Sequence, residues 1–278
     1  MHTKNRYGGK HDFAALLDLE PEMADYLRNA PDGHTTLDFT KARAVYLLNR
    51  TLLKRDYDLE HWDLPRGYLT PAVPGRLDYI HLLADLAPRT ERVLDIGTGA
   101  SVIYPILGTR EYGWRFVGTD VNPKSIKVAR AIVQFNPGLR GVEVRQQNDA
   151  GHIFAGVLLP GERFDLTMCN PPFHTDRPTA LTAGRTKWTK LGKRDRGLTF
   201  AGHDAELTTP GGEARFLRTM IAESSICREQ VKWFTCLVSQ RGYLSAAHQQ
   251  LEALGVVEER VLDLAQGNKQ MRVLSWRW

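Results

Sequence analysis

The sequence predicts an α/β fold: a Rossmann-like, seven-stranded and mostly parallel sheet with an N-terminal helical extension. Three observations predict it. Short apolar runs alternate with helix-spaced segments from residue 76 to about 175. The first of these runs ends in a glycine-rich turn, Asp95-Ile96-Gly97-Thr98-Gly99. Two final runs, VEERVLDLA and MRVLSWRW, read as a closing antiparallel hairpin around the turn-like QGNKQ. That hairpin separates this order from a dinucleotide-binding sheet.

The elements follow in chain order. In residues 1–75, Asp12 suits the cap of a short helix carrying Phe13, Leu16 and Leu17. Pro21 suits the first turn of the next helix. After Asp38, Ala42, Val45, Tyr46, Asn49, Leu52 and Leu53 recur at helical spacing, so that helix has one packed face. Pro65, Gly67, Pro71, Pro74 and Gly75 then break regularity and read as a linker. Residues 76–278 form the second region. A helix runs from Arg76 to Leu86, followed by the strands RVLDIG and FVGTD. Pro123 to Phe135 is helical, with Ile126, Ala129, Arg130 and Val133 in phase. VEVRQQND and FDLTMCN are the third and fourth strands, and VKWFTCLVS is the fifth. GGEARFLRTMIAESSIC is a helix begun by a glycine turn, and Leu244 to Leu254 is another.

Composition narrows the class. Apolar residues make up 42% and charged residues 25% of 278 positions, an ordinary globular balance. No run of apolar residues is long enough to span a membrane, so no membrane partner is expected. The opening MHTKNRYGGKHDF has no apolar signal core. Cys169, Cys227 and Cys236 include no C-x-x-C pair, so no zinc site or disulfide framework is indicated, and a cytoplasmic setting is expected. Histidines are scattered, giving no support for a metal. The formal net charge of +5 matters less than its placement. Arg177, Arg185, Lys187, Lys190, Lys193, Arg194 and Arg196 crowd one stretch against Asp176 and Asp195. Lys4, Arg6 and Lys10 precede the first acid, Asp12. Such clusters are a candidate polyanion footprint, and equally the composition of a solvated loop and a frayed end.

Three motifs carry chemistry. Asp95-Ile96-Gly97-Thr98-Gly99-Ala100-Ser101 lets backbone approach a ligand, although it lacks the third glycine of a pyrophosphate-binding loop. An ordinary strand–helix connection reads the same way. Asp120, at the end of FVGTD, stands where a carboxylate accepts hydrogen bonds from ribose hydroxyls; the alternative is a helix cap before Asn122-Pro123. Asn148-Asp149 is where an adenine amino group is received, or is simply a polar turn. Asn170-Pro171-Pro172-Phe173, after the fourth strand, is the strongest signal. An exocyclic amine on an aromatic ring delocalises its lone pair and is a poor nucleophile. Two acceptors aimed at its hydrogens free that lone pair: the Asn170 side-chain oxygen and the Pro171 carbonyl, the latter stiffened by proline. Phe173 offers a ring for base stacking, worth about 1–3 kcal/mol. The electrophile would be a sulfonium methyl, which needs positioning more than a strong base. No serine or cysteine nucleophile is set up, and Cys169 reads as a packing residue facing away from Asn170.

With these residues in view, the chain resembles the amino-methyltransferases that act on adenine, cytosine, guanine or glutamine amides. More closely, it resembles the RlmF-type 23S ribosomal RNA adenine-N6-methyltransferases, relatives of the eukaryotic U6-snRNA m6A methyltransferases. The segments that carry the resemblance are DFTKARAVYLLNRTLLKRDY, LTPAVPGRLDYIH, DIGTGASVIYPILG, GTDVNPKSIKVA, CNPPFH, PGGEARFLRTMI and QGNKQMRVLSWRW. The resemblance implies a class I methyltransferase sheet using S-adenosyl-L-methionine. It implies that Arg76 contacts the carboxylate end of that cofactor, that Gly97, Gly99 and Ser101 line its methionine part, and that Asp120 holds the ribose. Asp95, Asn148 and Asp149 complete the expected cofactor set. Asn170, Pro171, Pro172 and Phe173 would form the adenine pocket. The N-terminal extension (1–75) and the basic loop (174–210) would grip RNA. The expected partner is 23S ribosomal RNA or a large-subunit precursor particle, met by a monomer. Guanine-N2 methylation of ribosomal RNA, glutamine-N5 methylation of protein, and an inactive RNA-binding module remain the alternatives.

Overall fold

Strands β3 (Arg92–Ile96), β4 (Arg115–Asp120), β5 (Val142–Gln146), β6 (Phe164–Cys169), β7 (Val231–Val238), β8 (Glu258–Gln266) and β9 (Lys269–Arg277) pair into one sheet in the order β5-β4-β3-β6-β7-β9-β8. The computed structural model describes residues 1–9, 11–171, 211–266 and 269–278. The first five strands of that order are parallel, and β9 runs antiparallel between β7 and β8. The chain is therefore an α/β protein with the seven-stranded class I methyltransferase sheet.

The central strands β3, β4, β6 and β7 are buried on both faces, which is why they read as nearly continuous apolar runs. Successive residues point to opposite sides. Val93 and Phe116 join one cluster, whereas Leu94 and Val117 join the other. The first cluster takes α3 (Val73–Leu86), α4 (Ile103–Tyr112) and α5 (Pro123–Gln134). The second takes α6 (Gly212–Ile226) and α7 (Gly242–Ala253), with Phe234 stacked on Trp276.

The N-terminal extension joins the first cluster. Helix α1 (Phe13–Leu19) is capped by Asp12, whose Oδ1 accepts from Ala15 N at 3.2 Å. A 3₁₀ helix, Pro21–Tyr26, begins at a proline as its fixed φ favours. Helix α2 (Ala42–Tyr57) buries Val45, Asn49, Leu52 and Leu53 of the stripe its spacing predicts, leaves Ala42 exposed and Tyr46 half-buried, and buries Leu47 and Leu48 as well. Two differences from the sequence expectation stand out. A small antiparallel pair, β1 (Leu27–Asn29) with β2 (Thr35–Leu37), sits where only helices were expected. The expected linker is irregular as far as Ala72, but its last residues, Pro74 and Gly75, lie in the first turn of α3, which starts at Val73. Pro74 is tolerated there because first-turn N–H groups have no intrahelical partner. The N–H of Val73 donates to Asn49 Oδ1 on α2 at 2.7 Å, so one helix caps the next. The expected boundary at residue 75 thus falls inside a helix. Among the described residues no helix is long and apolar enough to cross a membrane.

Candidate active site

Three adjacent strands place the site. Ile96, Thr119 and Cys169 lie side by side in β3, β4 and β6, so Gly97, Asp120 and Asn170 leave the same sheet edge next to one another. Neighbouring strands are about 4.8 Å apart, so Asp120 and Asn170 stand on the order of 10 Å apart across the glycine turn.

The turn is a backbone cradle. Gly97 and Gly99 adopt φ of +73° and +63°, the left-handed region that a side chain resists. The N–H groups of Gly97 and Thr98 both donate to Thr119 O at 2.9 Å. Gly99 N donates to Asp120 Oδ2 at 3.1 Å, and Asn122 N donates to Asp120 Oδ1 at 2.8 Å. Burial pushes the Asp120 carboxyl above its usual value, opposed by the N–H groups of Asn122, Gly99 and Val121. Asn122 itself caps α5, its side chain accepting from Lys124 N at 2.9 Å. The cap role considered for Asp120 therefore falls to Asn122. Ser101, half-buried, presents its carbonyl to Trp62 Nε1 at 3.0 Å, so the extension touches the far end of the turn.

Several buried polar atoms in this region have no hydrogen-bond partner among the described residues. They include both carboxylate oxygens of Asp95, Thr98 Oγ1, Tyr104 Oη and Asn170 Oδ1. Asp95 is 0% exposed. Burial raises its carboxyl to about 7, with the neighbouring Thr98 hydroxyl opposing and Asp120 adding to the shift. Buried polar atoms are nearly always satisfied, so a cluster of orphans beside a glycine turn marks room for a polar ligand. A buried carboxylate suits a cation, and an amide oxygen suits an N–H donor. The Arg76 guanidinium lies 5.8 Å from the Tyr104 ring centre, and Tyr104 meets Tyr79 edge-on at 5.5 Å. Burial pushes the Tyr104 hydroxyl up to about 12, with Arg76 opposing.

The other expected residues fall as follows. Asn148 and Asp149 follow β5 and are exposed; Asp149 Oδ1 accepts from Gly151 N at 2.8 Å, closing a polar turn. Pro171 is buried. Pro172, Phe173, Lys10 and the basic stretch with Arg185, Lys187, Lys190, Lys193, Arg194 and Arg196 lie outside the described residues. Lys4 and Arg6 are engaged elsewhere: Lys4 Nζ is 2.6 Å from Asp85 on α3, and Arg6 is 2.7 Å from Glu111 on α4. With Asn5 Nδ2 donating to Asp78 Oδ1 at 2.7 Å, they strap the N-terminus to the sheet's helices. The charge seen in the sequence is there matched by acids over 80 residues away in the chain. Cys169 is buried as a packing residue. Among the described residues no group of three or more metal-ligating side chains occurs.

Sequence reasoning gave no role of its own to Thr98, although it lies inside the glycine motif, nor to Tyr104, Trp62 and Glu213. Glu213, in the first turn of α6, is 2% exposed and accepts from Ser239 N at 2.6 Å and from the Ser239 hydroxyl. Burial raises its carboxyl, with Ser239 opposing. The only signal in the sequence was an acid directly after the glycine pair 211–212.

The sheet order, the glycine cradle flanked by Asp120 and the unsatisfied amide at the β6 edge define the class: a methyltransferase whose methyl donor is S-adenosyl-L-methionine. A family model described as RNA methyltransferase matches residues 1–278, and the chain belongs to that family. The Ribosomal RNA large subunit methyltransferase F of Pseudomonas fluorescens is 45% identical over 291 residues, covering 99% of this chain and 86% of its own. Its namesake from Pseudomonas paraeruginosa is 45% identical over 294 residues, covering 100% and 88%. Among solved structures, the hMettl16 catalytic domain in complex with MAT2A 3'UTR hairpin 1 superimposes with a TM-score of 0.86 at 30% identity, covering 100% of this chain and 95% of that one. The N-terminal domain of human METTL16 in complex with SAH matches with a TM-score of 0.79 at 29% identity, covering 100% and 98%. The protein is an S-adenosyl-L-methionine-dependent RNA methyltransferase.

Proposed function

We propose that this enzyme methylates the exocyclic N6 amine of an adenosine in large-subunit ribosomal RNA. One observation carries the reading most: Asn170 Oδ1 is buried, has no partner among the described residues, and sits where β6 leaves the sheet beside the glycine turn. An unsatisfied acceptor there suits the hydrogens of a flat amine. The relatives' names support ribosomal RNA as the substrate.

The residues take roles on this reading. Asp120 accepts the ribose hydroxyls, its own position held by Gly99 N and Asn122 N. Asp95 faces the positive end of the cofactor, whose ammonium or sulfonium satisfies an otherwise orphaned carboxylate. Arg76 serves its carboxylate end, and Gly97, Gly99 and Ser101 line its methionine part. The Asn148-Asp149 turn borders the adenine side. The bound cofactor supplies an electrophilic methyl group. Asn170 Oδ1 and the Pro171 carbonyl accept the amine hydrogens, so the nitrogen lone pair turns out of the ring and towards the electrophile. Pro172 and Phe173 complete the acceptor pocket by stiffening and stacking. Transfer would form the N–C bond as the methyl–sulfur bond breaks with its electron pair left on sulfur as a neutral thioether; the nitrogen would then be cationic and its surplus proton would depart to water, so no strong base is needed. Residues 174–210, with Lys10, are the proposed RNA-gripping segment of a methyltransferase body spanning 76–278, and residues 1–75 its RNA-side extension. The site is built from one chain, so a monomer suffices. Naked rRNA or a precursor particle both fit.

The test is incubation with unmodified 23S rRNA and labelled cofactor, followed by nucleoside analysis. N6-methyladenosine is the expected product. N2-methylguanosine, or label retained in protein, would replace the adenine reading. No label anywhere would point to an inactive RNA-binding module.

A further inference from the structure

Behind Asn170 the join between β6 and β7 changes character. Regular pairing runs through Phe164 opposite Val231 and Leu166 opposite Trp233. Beyond it the two strands are held by side chains. Thr235 N donates to Thr167 Oγ1 at 3.2 Å, and Thr235 Oγ1 donates to Thr167 O at 2.8 Å. Tyr79, wholly buried on α3, places its Oη 2.8 Å from Thr235 Oγ1. Cys169 N donates to the same Tyr79 Oη at 3.5 Å.

The proton directions follow from chemistry. A carbonyl only accepts, so the Thr235 hydroxyl hydrogen goes to Thr167 O. Thr235 Oγ1 is then the acceptor from Tyr79, which leaves the Tyr79 lone pairs for Cys169 N–H. The result is one directed chain: Cys169 N–H to Tyr79 hydroxyl, to Thr235 hydroxyl, to Thr167 carbonyl. It starts at the peptide N–H of Cys169, one residue before Asn170, and closes on the carbonyl of Thr167, three residues before it. Buried hydroxyls are costly unless satisfied, and backbone pairing would join two parallel strands without them. What the side-chain join provides is a fixed separation of β6 and β7 where the acceptor base must enter. Tyr79 also lies one turn after Arg76, and the Tyr79 ring and the Arg76 guanidinium both meet the Tyr104 ring. Helix α3 therefore reaches the cofactor end and the base of the Asn170 motif together.

We propose that Tyr79, acting through Thr235 and Thr167, is a positioning residue for methyl transfer that fixes where β6 ends and so aims Asn170. This rests on the reading of Asn170 as the amine's acceptor. Geometry errors near 1 Å at a reacting centre cost about 100-fold in rate.

Tyr79→Phe removes one hydroxyl and leaves the ring. Single-turnover methyl transfer to 23S rRNA should slow about 10- to 100-fold. Affinities for S-adenosyl-L-methionine and for RNA should stay within about twofold. Thr235→Val should behave alike, Thr235→Ser should keep the wild-type rate, and the double variant should be no slower than the worse single one, because both break one chain. A folded Tyr79→Phe enzyme with wild-type rate, or one whose loss is all in binding, overturns the proposal. If Tyr79→Phe does not fold, the Thr235 pair decides: serine fast and valine slow supports it, equal rates overturn it. Asn170→Ala, measured alongside, separates the two readings. If it transfers methyl at the wild-type rate, the acceptor assignment fails by itself, whatever the Tyr79 rates.

Discussion

Asp95 is wholly buried and, among the described residues, its carboxylate has only the Thr98 hydroxyl as a polar neighbour opposing its raised value, so its proton is a reporter of what fills the site. Burial raises it to about 7, with Asp120 adding and Thr98 opposing. An unfolded aspartate titrates near 3.9. The group's contribution to stability is therefore fully present below about pH 4 and is lost as pH rises through about 7. Binding of a cation runs the other way, since it needs the ionised form. Affinity for S-adenosyl-L-methionine should tighten severalfold between pH 6 and 7.5, below the titration of the cofactor's own amine. Calorimetry at several pH values reads this, and Asp95→Asn should flatten the profile; a wild-type profile already flat would remove Asp95 from the cofactor's positive end. Asn170→Ala should lower kcat about 100-fold or more while KM for the cofactor changes little, the pattern of an interaction made only in the transition state. A change confined to KM would contradict it. These two residues, with Gly97, Gly99 and Asp120, stood out in the sequence as candidates because each lies at or just beyond the end of a strand. Tyr79, Tyr104 and Thr235 were not. Their partners stand as far as 156 positions away in the chain, and only the folded sheet brings them together.

The elements were legible to different depths for physical reasons. Long apolar strands and α2 and α5 announce themselves by period. The three-residue strands β1 and β2 have no period to read. The start of α3 at Val73 was hidden because its cap, Asn49, comes from another helix. Helix α6 shows the same kind of long-range anchoring. Glu223 Oε2 accepts from the N–H groups of Ile153, Phe154 and Ala155 at 3.0, 2.7 and 3.2 Å, and Oε1 meets His152 Nδ1 at 2.9 Å. One carboxylate thus gathers the segment that follows the Asn148-Asp149 turn and ties it to α6. Hydrogen bonds to a charged group are worth about 1.5–3 kcal/mol net, and removing the acceptor strands several donors at once. Glu223→Ala should therefore cost about 2–3 kcal/mol in urea unfolding. A loss below about 0.5 kcal/mol, the size expected of an ordinary surface change, would show that water replaces the carboxylate.

At the scale of the molecule, the split at residue 75 that proline and glycine suggest in the sequence is not a split in the core. Leu16, Met23, Leu37, Leu47 and Leu52 of the extension belong to the same buried cluster as Val73, Leu77, Ile103 and Phe116. Polar ties cross the same boundary: Tyr57 Oη donates to Glu111 at 2.9 Å, and Asn136 Nδ2 donates to His61 O at 2.7 Å. Trp62 then carries the extension to the Ser101 carbonyl in the glycine turn. Independent folding units need separate cores and few crossing contacts, and neither condition holds here. Extension and sheet should melt together. Trp62, stacked on Tyr46 in the extension, and Trp276, stacked on Phe234 in the sheet, offer two internal reporters. With the remaining tryptophans replaced by phenylalanine, variants retaining one or the other should give the same urea midpoint by fluorescence, with calorimetric and van't Hoff enthalpies equal. An earlier midpoint for Trp62 alone would mean that the extension detaches first, and that the glycine turn loses its support before the sheet does.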